Sequence, residues 1–455
     1  MEAPLRTSSY LIPVKLESEP DKYMLIHGYT GAIDIVSGKL LNDIKAISSF
    51  NVFPKDLLDL LLKRGYITAK TQEEEETVVG LLAKGLARKE MNSLKRFTLL
   101  VTYNCNFRCP YCYELNNLSE HKSVLISPNM CDRALKAISQ IEPDSNLQKK
   151  TITLFGGEPL LKENKERIEY IVNEGRKYGF NFSAITNGYD LEQYTEFFSK
   201  DAINEIQVTI DGSKEVHDKR RVHINQMGTF DKIMKNVHLA LERGIKVSIR
   251  INVDSANIDE VKKMNAFFQE SGMYSYKNLQ IYAAYIGGES NLNPSEYNEK
   301  IDVSNSSYDE FFNLFANSSM KLHHNYTIYN RLNYAVKNKK TIPLSSIHCE
   351  ALYSNYVLDP LGNIYKCLDL VGNKNNVVGT YSGGSIKWNK NRSLWESRCV
   401  SDMKSCLKCK YALLCSGGCF SKIIQGAKSS CGDFSVILKK VCNEIYRKNE
   451  PLFIN

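Results

Sequence analysis

Short apolar runs alternate with longer stretches of helical periodicity through the middle of the chain. We predict strands at Phe97–Thr102, Thr151–Phe155, Phe182–Thr186, Glu205–Ile210, Lys246–Val253 and Leu279–Ile286. Strands that alternate with helices are typical of repeated β-α units around a parallel sheet. Six such strands predict an α/β fold built on a partial barrel.

The residues before the first of these strands follow a different pattern. Three short strands are predicted at Tyr10–Leu16, Lys22–His27 and Ala32–Val36, with Gly28 and Gly31 at a turn. Helical patterns follow at Lys39–Ser48, Pro54–Lys63 and Glu73–Lys89, and Gly65 is placed as a C-terminal stop. This order of elements predicts a separate N-terminal domain.

Composition places the chain among folded proteins. It has 455 residues, of which 43% are apolar and 24% charged, so disordered and collagen-like architectures are excluded and two or three domains are expected. No apolar run reaches the roughly 18 residues of a membrane span, and the first residues lack the core of a secretion signal. We expect a cytoplasmic protein that does not enter a membrane.

The charge is only mildly basic. The formal net charge is +8 over the whole sequence, and the basic residues are scattered apart from short clusters such as Lys219-Arg220-Arg221. We interpret that cluster as a solvated face rather than a phosphate-binding patch, and we do not expect a nucleic-acid partner.

The cysteines carry the chemistry. There are 13, a high count for a reducing compartment, where metal binding is favoured over disulfides. Cys105, Cys109 and Cys112 follow a predicted strand, Cys131 stands alone as an expected buried structural thiol, and the others fall between positions 349 and 442. An all-protein [4Fe–4S] site takes four cysteines, so the loop 105–112 would leave one iron open. The alternative is a Cys3His zinc site completed by a distant residue such as His121 or His217.

Cys105-x3-Cys109-x2-Cys112, with Tyr111 before the last cysteine, resembles the signature of the radical S-adenosylmethionine (SAM) superfamily. Later segments resemble that superfamily's SAM-binding elements in the same order. By this resemblance Gly156, Gly157, Glu158 and Pro159 form the turn that binds the SAM amine, and Thr186, Asn187 and Asp211 touch its ribose or carboxylate. Arg221, in His217-Asp218-x2-Arg221, would reach the methionyl carboxylate. Paired glycines allow close backbone approach, and a carboxylate can accept a hydrogen bond from an ammonium.

The C-terminal cysteines resemble the SPASM extension of this superfamily, and all seven positions of its pattern are filled. The resemblance implies two auxiliary [4Fe–4S] clusters, one held by Cys349, Cys367 and Cys419 and the other by Cys406, Cys409, Cys415 and Cys431. The first set is one ligand short, so Cys399 completes it or the site stays open to substrate. Cys442 could replace Cys431, but it falls in the helical pattern Ser435–Arg447, so Cys431 is favoured. A zinc ribbon at Cys406-x2-Cys409 is the alternative.

The resemblance implies three domains. Residues 1–92 resemble, in layout alone, a winged-helix domain that recognises a leader peptide; a packing cap on the barrel is the alternative. Residues 93–335 would form the radical SAM partial barrel and 336–455 the SPASM domain. If the resemblance to a leader-recognition domain holds, a leader peptide would add a strand to the edge of the third strand and lie against a helix.

The implied activity is reductive cleavage of SAM to a 5′-deoxyadenosyl radical, followed by oxidative crosslinking of a ribosomally made precursor peptide. The cofactors would be three [4Fe–4S] clusters and SAM, and the partners the precursor peptide with its leader and an external one-electron donor of the flavodoxin or ferredoxin type. One alternative is a sulfatase maturase, against which counts that Leu368, not an aspartate, follows Cys367. Another is a non-catalytic electron carrier.

Overall fold

The computed structural model describes residues 4–47, 53–114, 124–254, 257–285, 321–322, 327–427, 431 and 434–453. The chain divides into two compact units. The first comprises Met1–Asn92, His324–Tyr353 and Glu396–Asn455, and the second Ser93–His323 and Ser354–Trp395. Within the described residues, none of the helices combines the length and hydropathy needed to cross a bilayer.

The first unit contains the predicted N-terminal strands. Its strands are β1 (Arg6–Thr7), β2 (Leu11–Lys15), β3 (Lys22–His27), β4 (Ile33–Ser37) and β5 (Ile67–Thr68). Strands β2, β3 and β4 form an antiparallel sheet in that order, and β1 pairs with β5. The apolar residues of these strands alternate toward a core that includes Leu11, Leu25 and Val36.

The helices of the first unit come from both ends of the chain. They are Gly38–Lys45, Lys55–Arg64, Gln72–Met91, Thr327–Lys337, Lys404–Leu407, Ala412–Cys415, Phe420–Ile424 and Phe434–Asn449. The second of them ends at Gly65, whose φ of 89° lies in the left-handed region that favours glycine. Thr71 and Glu74 form a capping box that starts the third. The predicted N-terminal helices are therefore present, with ends shifted by a few residues.

The second unit is built on one large sheet. Its strands are β6 (Lys95–Thr102), β7 (Gln148–Gly156), β8 (Asn181–Thr186), β9 (Ile203–Thr209), β10 (Lys246–Val253), β11 (Leu279–Tyr285), β12 (Lys321–Leu322), β13 (Asn355–Leu358), β14 (Asn363–Tyr365), β15 (Gly379–Thr380) and β16 (Lys387–Trp388). Strands β6 to β11 lie side by side in chain order and pair in parallel. All six predicted barrel strands are confirmed.

The sheet continues beyond the predicted strands. On one side β12 pairs in parallel with β11, and on the other β13 pairs in parallel with β6. Strands β14, β15 and β16 then add in antiparallel order. The described strands form a sheet with both parallel and antiparallel pairs. Together with the helices they make an α/β fold consistent with a partial barrel. The division into three domains stays a prediction, since residues after 323 are shared between the two units.

Helices join the parallel strands, at Pro128–Ile141, Lys165–Lys177, Lys214–Arg220, Phe230–Glu242 and Glu260–Glu270, and Lys390–Glu396 follows β16. Each longer helix buries one apolar face, such as Ile168, Ile171 and Val172 on the second. Because the strands are parallel, their carboxyl ends meet at one edge of the sheet, so Thr102, Gly156 and Thr186 open onto the same region.

Candidate active site

The loop with the first three cysteines leaves the carboxyl end of β6 and is held by backbone hydrogen bonds on both sides. Arg108 N–H donates to the Val222 carbonyl at 2.7 Å, and Ile224 N–H donates to the Asn106 carbonyl at 2.9 Å. Cys112 N–H closes a turn onto the Cys109 carbonyl at 3.1 Å. Hydrogen bonds within the protein therefore hold the loop backbone in place.

The three thiols lie close to one another. Burial, then the carboxyl of Glu158, and after them the thiols of Cys109 and Cys112, raise the pKa of Cys105. Burial and neighbouring groups that include Cys109 raise the pKa of Cys112 to about 12. Phe107 N–H also donates to Cys105 Sγ at 3.3 Å. The structure thus brings together, on one loop, the three cysteines that the sequence predicted.

The two glycines at the end of β7 pack directly against the backbone that leads into this loop. Gly156 has a φ of +140°, and a Cβ on Gly157 would lie 2.4 Å from the Asn104 carbonyl oxygen and 2.6 Å from that of Tyr103. Gly157 N–H donates to the Thr102 carbonyl at 3.0 Å. No side chain fits at position 157 while that backbone stays in place.

We expect Gly157→Val to weaken SAM binding at least tenfold while the iron of the loop is retained, because the branched side chain forces the Gly157 turn away from Asn104. Equilibrium binding of SAM and iron analysis on the anaerobic protein measure the two effects. Gly383→Val, where nothing lies within 4 Å of the added Cβ, is the surface control. Unchanged SAM affinity in the Gly157 variant would remove this turn from the site.

Glu158 ties this turn to the end of β8. Its Oε1 accepts from Thr186 Oγ1 at 2.7 Å and from Leu160 N–H at 2.8 Å, and its Oε2 accepts from Asn187 N–H at 2.5 Å. Burial raises the pKa of this carboxyl to about 7 although these donors oppose the shift. Pro159 follows, and its carbonyl accepts from Asn164 Nδ2 at 3.1 Å. Residues predicted from separate segments are thus joined in one network.

A second network surrounds Tyr111. Its hydroxyl donates to Asp211 Oδ2, and Arg221 donates to the same hydroxyl at 2.9 Å. Asp211 is fully buried, and its Oδ1 accepts from Asn252 N–H at 3.2 Å. The Nε of Arg221 is buried and has no hydrogen-bond partner among the described residues. This arrangement leaves a cationic donor available to an anionic ligand group.

Some members of these networks were not predicted. Arg220 lies over the Tyr111 ring at 5.1 Å and donates to Asp254 at 2.9 Å. Asn257 donates to the carbonyls of Asp211 and Asn252 at 2.8 and 2.9 Å. The carboxyl of Glu114 is buried and interacts with that of Glu158, and burial raises the pKa of Glu114 to about 7. Asn252 and Asp254 could have been predicted, because they are polar residues at the end of β10 and the ends of parallel strands meet at one edge of the sheet.

His217, considered above as a distant zinc ligand, makes a hydrogen bond with the backbone in the structure. Its Nδ1 accepts from the Asp211 N–H at 3.3 Å, and burial lowers its pKa to about 3, so this ring is neutral. His121, the other histidine considered, lies outside the described residues.

Four C-terminal cysteines of the first unit lie close together. Burial and then the thiols of Cys406, Cys431 and Cys409 raise the pKa of Cys415 to about 12. This is the set predicted for the second auxiliary cluster. Cys442 is fully buried on the helix Phe434–Asn449, and burial alone raises its pKa. The arrangement favours Cys431 over Cys442 as a partner of the other three.

The remaining predicted ligands fall in both units. Cys349 and Cys419 lie in the first unit and interact electrostatically, since burial and the Cys419 thiol are among the causes that raise the pKa of Cys349 to about 11. Cys367 lies in the second unit, where it and Cys112 both interact with the Tyr113 hydroxyl. Cys399 is buried with its thiol facing the Ala83 carbonyl at 3.8 Å. Cys131 is buried on a helix, where a structural thiol is expected.

The residues present fit an iron–sulfur cluster and SAM. A cluster with an open iron requires three neighbouring thiols, which the loop provides. SAM requires close approach to the backbone and a donor for its carboxylate. The glycine turn, which has no room for a side chain, and the buried Arg221 Nε, which has no partner among the described residues, provide these. Among the residues that the structure describes, no group of three or more His, Cys, Asp or Glu side chains is arranged to hold a single metal ion.

Residues 99–268 match the model of the Radical SAM superfamily, so this part of the chain is a radical SAM domain, and members of that superfamily are enzymes. A cysteine-type anaerobic sulfatase-maturating enzyme of Clostridium novyi is 30% identical over 190 residues, which cover 40% of this chain and 49% of that enzyme. The match thus spans about half the length of that relative.

Two further similarities extend over more of the chain. The radical SAM cyclopropyl synthase TigE of Paramaledivibacter caminithermalis is 21% identical over 96% of this chain and 95% of that enzyme. A solved structure described as native anSMEcpe with bound AdoMet has a TM-score of 0.55 and 19% identity, and covers 78% of this chain and 100% of that one. This likeness shows a shared fold.

Proposed function

We propose that this chain is a radical SAM enzyme that cleaves SAM reductively and crosslinks residues of a ribosomally made precursor peptide. The observation that carries the proposal is the meeting of the cysteine loop with the Gly156–Gly157 turn, where added side-chain atoms would collide with the backbone of Asn104. Three thiols leave one corner of a [4Fe–4S] cluster without a protein ligand, and a small chelating molecule can bind there.

In this proposal Cys105, Cys109 and Cys112 hold the cluster, which when bound supplies the electron that splits SAM into methionine and a 5′-deoxyadenosyl radical. Gly156 and Gly157 offer their backbone to the SAM ammonium.

The other SAM contacts come from the strand ends. Thr186, Asn187 and Asp211 line the ribose and carboxylate side. Arg221 binds the methionyl carboxylate through its Nε, the donor without a partner in the described structure.

Around the second auxiliary site, Cys406, Cys409, Cys415 and Cys431 would hold another [4Fe–4S] cluster, consistent with their mutual electrostatic interaction. Cys349, Cys367 and Cys419 stay the predicted ligands of the first auxiliary cluster. Such clusters can take the electron that a substrate radical gives up, so that the product is oxidised relative to the substrate. An external flavodoxin-type or ferredoxin-type protein would supply the electron for SAM cleavage.

A peptide substrate is supported by the N-terminal sheet. Strand β4 pairs with β3 on one side, and among the described strands nothing pairs with its other side. A leader peptide can add to such an edge through main-chain hydrogen bonds, with side-chain pockets providing selectivity. One solved structure of the sulfatase-maturase type is described with a bound Cp18Cys peptide, and it shares the fold of this chain.

The test is anaerobic reconstitution with iron and sulfide, followed by reaction with SAM, a reduced flavodoxin and a precursor peptide encoded beside the gene. We expect 5′-deoxyadenosine and a peptide lighter by two hydrogens that does not react with hydrazines. A peptide of unchanged mass indicates epimerisation and contradicts the crosslink. Absence of 5′-deoxyadenosine from iron-loaded protein contradicts the proposal as a whole.

A sulfatase maturase is the second candidate, favoured by the relative from Clostridium novyi. Against it counts that Leu368, not an aspartate, follows Cys367, with Asp369 one position later. A maturase would convert a serine or cysteine of a sulfatase peptide to an aldehyde. Hydrazine trapping of that aldehyde separates the two candidates, since a crosslink carries no carbonyl of this kind.

A further inference from the structure

Arg331 joins two segments of the first unit that carry auxiliary cysteines. It lies on the helix Thr327–Lys337, and its guanidinium donates three hydrogen bonds to backbone carbonyls. Nε donates to Pro343 at 2.5 Å, and the two terminal nitrogens donate to Leu413 at 2.8 Å and Leu414 at 3.0 Å. The planar guanidinium fork suits several acceptors held at fixed positions.

The two segments are also bonded to each other. Ser345 N–H donates to the Leu413 carbonyl at 3.0 Å, and Ser416 Oγ donates to the Ser345 carbonyl at 3.0 Å. The His348 ring nitrogen Nδ1 lies 3.1 Å from the Cys415 carbonyl. One segment leads into Cys349 and the other into Cys415, so Arg331 is bonded to the backbone that precedes each of these two cysteines.

Arg331 brings a positive charge to this position. Burial lowers its pKa to about 10, so the guanidinium is charged at neutral pH, and the interacting anionic groups are Glu90 and the thiol of Cys415. Its hydrogen-bond acceptors are neutral carbonyls, and burial raises the pKa of the Glu90 carboxyl, which disfavours the anion that would offset the Arg331 charge. A partly buried cation beside a thiolate ligand favours the more negative, reduced form of any cluster the thiolate holds.

We propose that Arg331 is a positioning residue of the second auxiliary site, which fixes Cys415 relative to Cys349 and raises the reduction potential of the cluster bound there. The inference rests on the proposed function, because it requires that the auxiliary cysteines hold a cluster. Its consequence is that this cluster accepts an electron from a substrate radical more readily than it would without Arg331. Because Arg331 is bonded to both segments, it would set both the spacing of Cys349 and Cys415 and the reduction potential of the cluster.

The experiment uses the full chain with Cys105, Cys109 and Cys112 replaced by alanine, so that only auxiliary clusters contribute. In this background Arg331→Gln keeps N–H donors without the charge, and Arg331→Lys keeps the charge without the fork. Lys337→Met, exposed in the last turn of the same helix, is the control. Iron content and redox titrations followed by electron paramagnetic resonance are measured for each.

We expect a shift to lower potential in Arg331→Gln, and a potential close to the parent's in Arg331→Lys and Lys337→Met. Equal potentials in the glutamine and lysine variants would overturn the electrostatic role of Arg331 while leaving the proposed function intact. Loss of iron in the glutamine variant but not in the lysine variant supports a role for the charge in holding the site. A parent protein that binds no auxiliary iron contradicts the proposed auxiliary site, and this assignment with it.

Discussion

Replacing Cys105, Cys109 and Cys112 together with alanine is expected to abolish SAM cleavage and to leave about eight irons per chain, four in each auxiliary cluster. The three thiols are the ones that the structure brings together at the end of β6. Removing them eliminates the only proposed place where SAM meets an iron with an open position. The auxiliary sites rely on other segments of the chain and should keep their metal.

Iron and sulfide analysis measures the first effect, and chromatography of 5′-deoxyadenosine under anaerobic reducing conditions measures the second. Cys131→Ala is the matched control, since this thiol is buried on the helix Pro128–Ile141, outside every proposed metal site. The control should keep about twelve irons and full SAM cleavage. Cleavage retained in the triple variant would refute the assignment of the loop.

Much of the barrel could be predicted because its strands are apolar runs with polar residues and glycine at their ends. Buried parallel strands read as nearly continuous hydrophobic segments, as Thr151–Phe155 does, and the turn chemistry of Gly156 and Gly157 follows directly. The sheet beyond β6 could not be predicted in this way. Strands β15 and β16 have two residues each, too few for any periodic pattern.

The site was only partly predictable, for a related reason. Tyr111 and Asp211 could be selected one by one, but their hydrogen bond joins positions 100 residues apart. Arg220 was assigned to a solvated face, whereas its guanidinium lies over the Tyr111 ring and bonds to Asp254. Such long-range pairing depends on the order of strands in the sheet, and local sequence carries little information about it.

The grouping of the N-terminal residues with the last part of the chain was also not predicted. Tyr10 donates through its hydroxyl to the Leu407 carbonyl, and Gly28 lies against the backbone of Lys410. Lys410 directly follows Cys409, a proposed ligand of the second auxiliary cluster. The N-terminal strands therefore pack against the backbone on both sides of Cys409, a contact that the prediction of a separate N-terminal domain did not include.

The contact at Gly28 leads to the last prediction. A Cβ at this position would lie 2.1 Å from the Lys410 carbonyl oxygen, closer than the 3.0 Å below which real Cβ atoms are essentially never found. Gly28 is itself held, since its N–H donates to the Tyr10 carbonyl at 3.0 Å. Gly28→Ala must therefore displace the backbone between Cys409 and Cys415, and overpacking of this kind costs about 3 kcal/mol.

We expect Gly28→Ala to lower the free energy of unfolding by that amount and to lose about four irons per chain, with the loop 105–112 still loaded. Denaturant unfolding and iron analysis under anaerobic conditions measure both. Gly85→Ala is the control, because its added Cβ has nothing within 4 Å and alanine favours the exposed helix by about 1 kcal/mol. Full iron in both variants would show that the N-terminal sheet can move away from the auxiliary site without disturbing it. Selective iron loss would establish that the N-terminal sheet holds this metal-binding backbone in place.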